Sequence, residues 1–198
     1  MADPVATLTS IFTLLGTASL MIVVALILTS FNALNPKWGK NKTSARVAIG
    51  LIFGLLAILG TVMGTKMADG TIINVRELAT MIAGLAGGPI GGVLAGLIGG
   101  LHRYTAGGAT ALPCTISTIL VGTISGLVSA KILTGKLYVP KGALMAIALE
   151  CMAMGLILAL VPLNQAISIV EKIAIPMITA NAVGFVLWLY LAHKWSQH

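Results

Sequence analysis

Charged side chains are scarce in this chain of 198 residues: only 9% are Asp, Glu, Lys or Arg, whereas 58% are hydrophobic and the mean hydropathy is +1.03. A typical soluble domain has about 25% charged residues. No water-soluble core needs so much apolar sequence, so we expect an integral membrane protein. At about 20 residues per span, the chain has room for about six or seven transmembrane helices and none for a soluble domain.

Cysteine is also rare, which limits the chemistry that the chain can perform. Cys114 and Cys151 lie in apolar segments without Cys-x-x-Cys spacing, so neither a disulfide framework nor a metal site is indicated. Nothing in the sequence resembles a nucleophile–base pair or a phosphate-binding loop. We therefore expect no metal, no cofactor and no enzymatic activity in this chain.

The net charge of +7 raises the possibility of nucleic-acid binding. No basic stripe with interleaved aromatic residues is present, however, and basic residues collect in the cytoplasmic loops of membrane proteins. We therefore expect a lipid bilayer and no nucleic acid as a partner.

Apolar runs predict an all-α bundle of seven segments, at 8–31, 47–64, 73–86, 90–104, 112–130, 142–161 and 173–192. The third and fourth segments would be only about 21–23 Å long as helices, less than the roughly 30 Å of a bilayer core. The sequence leaves open whether these two short arms are separate spans or a re-entrant hairpin.

The basic residues predict how the bundle is oriented. The N-terminus lacks the basic region of a secretory signal, so the first apolar run is expected to remain as a span. With the N-terminus outside and the C-terminus inside, eight of the 12 Lys and Arg residues fall on the cytoplasmic side, as positive-inside topology requires. The other four are Lys66, Arg76, Arg103 and Lys172.

Arg76 and Arg103 stand out because they lie in the apolar central region. Between them, Gly87, Gly88 and Pro89 are expected to break the helix, because proline lacks a backbone donor and glycine relaxes the backbone. If the chain folds back there, both arginines lie roughly 20 Å from the turn, at the same depth and near the outer face.

Two guanidinium groups in apolar surroundings need an anion, and their planar donors match a carboxylate. The alternative for Arg76 is that it reaches the outer interface or pairs with the adjacent Glu77. The spacing of the arginines thus predicts a site for a small organic anion.

Five further polar residues are candidates for the same site. Cys114 and Ser117 share a helix face and could donate hydrogen bonds to a ligand carbonyl, or could pack and bond back to their own helix. Glu150 is a lone carboxyl in mid-segment, either the partner of an arginine or a proton-coupling group. Asn74 and Asn181 are possible pocket residues, although Asn181 is expected mainly to hydrogen-bond between helices.

Glycines recur at every fourth position from 84 to 100. Small residues at this spacing let helix backbones approach closely in lipid. The pattern predicts a packing seam that holds the two arms against their neighbours.

Residues 74–127, NVRELATMIAGLAGGPIGGVLAGLIGGLHRYTAGGATALPCTISTILVGTISGL, resemble the signature of the five-transmembrane LytS–YhcK receptor region. The shared pattern is Asn-x-Arg, a Gly-Gly-Pro turn, a glycine-spaced helix, an Arg followed by Gly-Gly, and a helix that begins near a Cys. The later AIPMITANAVG resembles the family's last segment, and Glu150 stands where members often carry an acid. The resemblance covers residues 46–195.

The resemblance implies a plasma-membrane sensor. Members are usually N-terminal regions of histidine kinases or diguanylate cyclases, and the kinases are associated with cell-wall turnover or with sensing of external pyruvate. In the pyruvate-sensing branch the ligand is attributed to two arginines, a cysteine and a serine, which match Arg76, Arg103, Cys114 and Ser117 here. A pyruvate-like carboxylate, a cytoplasmic kinase or other output module and a second copy of the chain are the implied partners.

Members normally continue into a cytoplasmic output region, whereas this chain stops at His198. We expect either an excised sensor region or a stand-alone protein that acts through a partner. The expected organisation is a first helix with a basic loop at 1–45, the receptor region at 46–195 and a tail at 196–198.

Two other functions remain open. The expected fold also resembles the substrate-binding subunits of energy-coupling-factor vitamin transporters, so a small transporter of an organic anion or vitamin is the alternative. A purely structural membrane-assembly module is the third and weakest hypothesis.

Overall fold

The computed structural model describes residues 4–30, 42–67, 70–134 and 137–195. These ranges hold six α-helices: α1 Pro4–Ser30, α2 Lys42–Val62, α3 Arg76–Thr105, α4 Ala111–Leu133, α5 Tyr138–Leu160 and α6 Leu163–Trp195. Each helix is long and apolar enough to cross a membrane. The prediction of an all-α integral membrane protein is therefore confirmed.

Two features of the chain path were not predicted. Short antiparallel strands, β1 Thr65–Lys66 and β2 Ile72–Ile73, join α2 to α3. In addition, α6 begins at Leu163, immediately after Pro162, and not near residue 173. Residues 163–172 include exposed polar side chains, and the low hydropathy of this stretch concealed the first turns of α6, which precede the apolar segment. Most of the predicted basic loop, with its lysines Lys37 and Lys40, and the predicted tail at 196–198 lie outside the described residues.

The helix α3 is broken at Gly88, which has φ 64° and ψ −161°. A positive φ is accessible to glycine but strained for other residues, and Pro89 cannot donate the next helical hydrogen bond. The chain reverses there: a Cβ placed on Gly99 would lie 3.6 Å from Cδ of Arg76. In a straight helix these residues would be about 35 Å apart. Thus α3 consists of two antiparallel arms, at 76–87 and 89–105.

Glycines allow the hairpin to pack closely between α2 and α4. A Cβ on Gly60 of α2 would lie 3.2 Å from the backbone of Arg76. On the other side, a Cβ on Gly92 would collide with the carbonyl oxygen of Gly122 of α4. These contacts fix the rotation of the hairpin, and so they determine which polar side chains of α3 and α4 meet.

The remaining helices cover the other side of α4 and the hairpin. The helix α5 packs against α4 and α6, and α1 packs mainly against α6. Glycine again marks a close approach, because a Cβ on Gly184 of α6 would lie 2.9 Å from Leu78 of the hairpin. The first arm of α3 is therefore enclosed by other helices, and its polar first turn is buried.

Candidate functional site

Polar side chains meet where α3 begins and pack against the first turns of α4. We call this group the charged cluster; its members are Arg76, Glu77, Arg103, Cys114, Ser117, Thr118 and Glu150. Each is at most 6% exposed. Buried polar groups in a membrane protein must satisfy one another, and ionisable residues there usually have a function.

Arg76 makes most of its contacts with α4. Its Nε donates a hydrogen bond of 2.6 Å to Oγ1 of Thr118, and its Nη2 lies 3.5 Å from the carbonyl oxygen of Cys114. The same Nη2 is 3.8 Å from Oε1 of Glu77. Its Nη1 has no hydrogen-bond partner among the described residues. Arg76 is thus held firmly and still has a free donor.

Glu77 belongs to this cluster, although the sequence suggested it only as an alternative partner for Arg76. Its Oε1 accepts a hydrogen bond of 2.6 Å from Oγ of Ser117, and its Oε2 receives none from the described part of the chain. The hydroxyl of Ser117 also lies 3.1 Å from the carbonyl oxygen of Cys114. Ser117 therefore orients Glu77 in this structure.

Arg103 lies on the second arm of the hairpin and is fully buried. It donates hydrogen bonds of 2.6 Å to the carbonyl oxygen of Gly107 and 2.9 Å to Oγ1 of Thr110, while its Nε has no partner in the described ranges. The thiol of Cys114 is within its hydrogen-bonding reach, and Arg76 is near enough for the two positive charges to interact. The fold thus brings Arg76, Arg103 and Cys114 into one region.

Glu150 enters the cluster from α5. Its carboxyl is completely buried and faces that of Glu77, with Arg76 and Cys114 in electrostatic range. Neither of its oxygens receives a hydrogen bond from the residues that the structure describes. The sequence offered two interpretations of Glu150, the partner of an arginine or a proton carrier, and in the structure its carboxyl has both an acid, Glu77, and Arg76 in electrostatic range.

Asn74 and Asn181 satisfy backbone donors at the buried start of α3. Oδ1 of Asn74 accepts from the backbone N–H of Arg76 at 3.1 Å, and Oδ1 of Asn181 accepts from that of Leu78 at 3.1 Å. The first N–H groups of a helix have no partner within the helix, and burying them unpaired is costly. Both asparagines thus hold the turn that carries Arg76 and Glu77, and Asn181 links it to α6.

Gly87, Gly88 and Pro89 lie at the opposite end of the hairpin arms. A Cβ on Gly87 would be 3.5 Å from the backbone oxygen of Arg46, near the start of α2. These three residues shape the hairpin and do not line the charged cluster.

Two contributors, Thr110 and Thr118, were missed from the sequence, and Glu77 was considered only as a partner of Arg76. One signal for Thr118 was its position four residues after Cys114, which places it on the same helix face. Glu77 is the single acid between the two arginines, and this was a second usable signal. No signal in the sequence pointed to Thr110, because its contact with Arg103 depends on the path of the loop between α3 and α4.

A bundle of apolar helices around buried arginines and acids defines an integral membrane protein with an internal polar site. Residues 29–194 match the family described as the 5TMR of 5TMR-LYT, and the chain belongs to this family. It is accordingly a multi-pass plasma-membrane protein with the receptor region of membrane sensor kinases.

Three curated relatives show the relationship. The chain is 41% identical over 146 residues to the sensor histidine kinase BtsS of Escherichia coli K12, covering 70% of this chain and 26% of the relative. It is 34% identical over 178 residues to the sensor histidine kinase YpdA of the same strain, covering 87% and 31%. With the sensor protein LytS of Bacillus anthracis it shares 39% identity over 119 residues, covering 59% and 20%.

The chain thus spans between a fifth and a third of the length of these three relatives, and what it matches is their receptor region. No solved structure matches the chain.

Proposed function

We propose that the charged cluster binds a small carboxylate such as pyruvate, and that the chain passes this event to a cytoplasmic kinase or other output module. The observation that carries the proposal is the pair of fully buried arginines with free donors, Nη1 of Arg76 and Nε of Arg103. A guanidinium donor in a low-dielectric site is strongly favoured when it meets a carboxylate oxygen. The resemblance to sensor kinases supports a receptor role for this binding.

In this proposal Arg76 and Arg103 bind the carboxylate, and Cys114 donates a hydrogen bond to the adjacent keto oxygen. The thiol is a weak donor that already lies beside Arg103. Ser117 differs from these residues, because its hydroxyl already donates a hydrogen bond to Glu77 in this structure. It can reach the ligand only by releasing that carboxylate, so Ser117 would couple ligand binding to the position of Glu77.

The route to the output runs through α6. The first turn of α3 is joined to α6 by the hydrogen bond from the N–H of Leu78 to Asn181, and α6 continues to Trp195. A ligand shifts a conformational equilibrium only by binding one arrangement more tightly than the other. We propose that carboxylate binding moves the start of α3, and that Asn181 transmits the movement along α6 to a homodimeric output.

Calorimetry with pyruvate on the purified protein in nanodiscs tests the site. We expect saturable binding that weakens at least about 30-fold in Arg76→Ala and Arg103→Ala, because each variant removes a buried charge partner of the anion. Arg76→Lys keeps the positive charge but loses the planar fork, and it should also weaken binding while the helical circular dichroism is retained.

Arg46→Ala is the matched control, because Arg46 is exposed at the start of α2. It should bind pyruvate like the parent chain. Undiminished heat in both Arg76→Ala and Arg103→Ala would exclude the cluster as the ligand site. Pyruvate flux into proteoliposomes would instead favour the transporter alternative.

A further inference from the structure

Glu77 and Glu150 form a pair of buried carboxyl groups with an unusual lack of donors. Glu150 is 0% exposed and Glu77 is 1% exposed, and their carboxyl groups face each other. Oε2 of Glu77 and both oxygens of Glu150 receive no hydrogen bond from the described residues. Two adjacent carboxylates cannot both stay ionised in such surroundings, whereas one proton between them supplies the missing hydrogen bond.

The charges of the cluster lead to the same conclusion. Arg76 and Arg103 carry two positive charges, and a carboxyl pair that holds one proton carries a single negative charge. The site then has a net charge of about +1, which one monocarboxylate neutralises. If the pair lost its proton, the arginines would already be balanced, and a bound carboxylate would leave an uncompensated negative charge in a buried site.

We propose that the site binds its carboxylate only while Glu77 and Glu150 hold one proton between them, so that at a pH where the free pair has lost this proton the anion is taken up together with one proton. This inference rests on the proposed function of the cluster and adds its regulation. The proton comes from the medium and remains on the carboxyl pair while the ligand is bound. The receptor therefore responds to the anion and to acidity jointly, and its sensitivity falls as the pH rises.

The groups that face Glu150 are consistent with this assignment. Besides Glu77, they are Arg76 from the same turn of α3 and Cys114 from α4. From α6, Asn181 reaches the first turn of α3 and carries no titratable group. Glu171, the acidic residue of α6, is exposed. The proton is thus best placed on the two facing glutamates.

Calorimetry with pyruvate over a range of pH tests the coupling in the parent chain. At alkaline pH, where the free pair has lost its proton, the affinity should fall by up to about tenfold per pH unit. At this alkaline pH, the binding heats measured in two buffers of different ionisation enthalpy should show the uptake of one proton per pyruvate. Arg76-dependent binding with no proton uptake at any pH would overturn this inference and leave the proposed function standing.

Glu150→Gln mimics the protonated acid and should make pyruvate binding independent of pH. Glu171→Gln is the matched control, since it changes an exposed acid in the same way and should keep the parent pH dependence. A pH dependence that survives in Glu150→Gln would contradict the assignment of the proton.

Infrared spectroscopy without ligand provides a test that does not depend on pyruvate. At neutral pH the parent chain should show the carbonyl band of a protonated carboxylic acid, and this band should be lost in Glu150→Gln but kept in Glu171→Gln. An equal band in all three proteins, or no band in any of them, would contradict the proposal that Glu77 and Glu150 share a proton. If pyruvate gives no heat at all, the proposed function fails, whereas the infrared result still decides the carboxyl pair.

Discussion

At the scale of single residues, Thr118 shows how an arginine is stabilised inside a membrane bundle. Its hydroxyl accepts from Nε of Arg76 at 2.6 Å and donates to the carbonyl oxygen of Cys114 at 2.6 Å. One side chain thus joins the first turn of α3 to α4 with both of its hydrogen-bonding functions. Hydrogen bonds to charged groups are stronger than those between neutral groups.

Thr118→Val should therefore destabilise the protein, because valine has nearly the same shape but leaves a buried guanidinium donor unpaired. We expect a loss of about 1–3 kcal/mol in the free energy of unfolding, measured by thermal or chemical denaturation in detergent. Thr123→Val is the control on the same helix, because its half-buried hydroxyl bonds to the carbonyl oxygen of Ile119 of its own helix. Equal losses in the two variants would refute the role given to Thr118.

Ser117 illustrates the limit of assigning a role from residue type. A serine one turn after a cysteine predicted a donor for a ligand carbonyl, and the side chain does donate a hydrogen bond of 2.6 Å. Its acceptor is Glu77, which lies 40 positions away in the sequence. Residue type predicted the chemistry of the group, and its partner was decided by the packing of α3 against α4.

At the scale of elements, the hairpin of α3 is the part of the fold that places the cluster. Its arms of 12 and 17 residues measure about 18 and 26 Å, both less than the roughly 30 Å of a bilayer core. Neither arm would cross a bilayer well alone, and α2 and α4 flank both arms through glycine contacts. The spacing of glycines predicted this seam, and the observed contacts at Gly92 and Gly122 agree with it.

Gly92→Ala should loosen the seam between α3 and α4, because the new methyl group would collide with the backbone of Gly122. We expect destabilisation by about 1–3 kcal/mol, with a matching loss of pyruvate affinity. In contrast, Gly155→Ala on α5 adds a methyl group where no atom lies within 4 Å. It should be neutral or stabilise the helix by up to about 1 kcal/mol. Similar melting temperatures for the two variants would contradict the packing argument.

The helix α6 was the least accurately predicted element. Its apolar part, near residues 173–192, was recognised from hydropathy, but its first turns were not. Helix formation requires only that backbone donors and acceptors pair along the chain, so a polar surface does not end a helix. The observed start of α6 directly follows Pro162, and proline is well tolerated just before or at the first turn of a helix.

At the scale of the whole molecule, the distribution of basic residues predicts the orientation in the membrane. Lys66 lies on β1 between α2 and α3, and Lys141 lies in the first turns of α5. With the N-terminus outside, Lys66 faces the exterior and Lys141 the cytoplasm. The family match includes the chain from residue 29 onward, so α1 precedes nearly all of the matched receptor region while packing against its last helix.

Cysteine labelling tests this orientation. In a Cys151→Ser background, a membrane-impermeant maleimide should label Lys66→Cys in intact cells and Lys141→Cys only after permeabilisation. Both lysines are exposed, so the two positions should differ only in the side of the membrane. The background chain without either new cysteine should remain unlabelled, because Cys114 is buried. Labelling in the reverse order would invert the topology.

The sequence by itself determined that this protein is a membrane bundle, where most of its helices run, where the central helix breaks and which residue types are available for the proposed anion site. These properties depend on local hydropathy and on backbone chemistry, which can be read from neighbouring residues. Only the tertiary structure decided that Ser117 orients Glu77, that Glu77 faces Glu150, and that two asparagines satisfy the start of α3. Those pairings depend on the rotation and depth of whole helices, which glycine contacts between distant segments set.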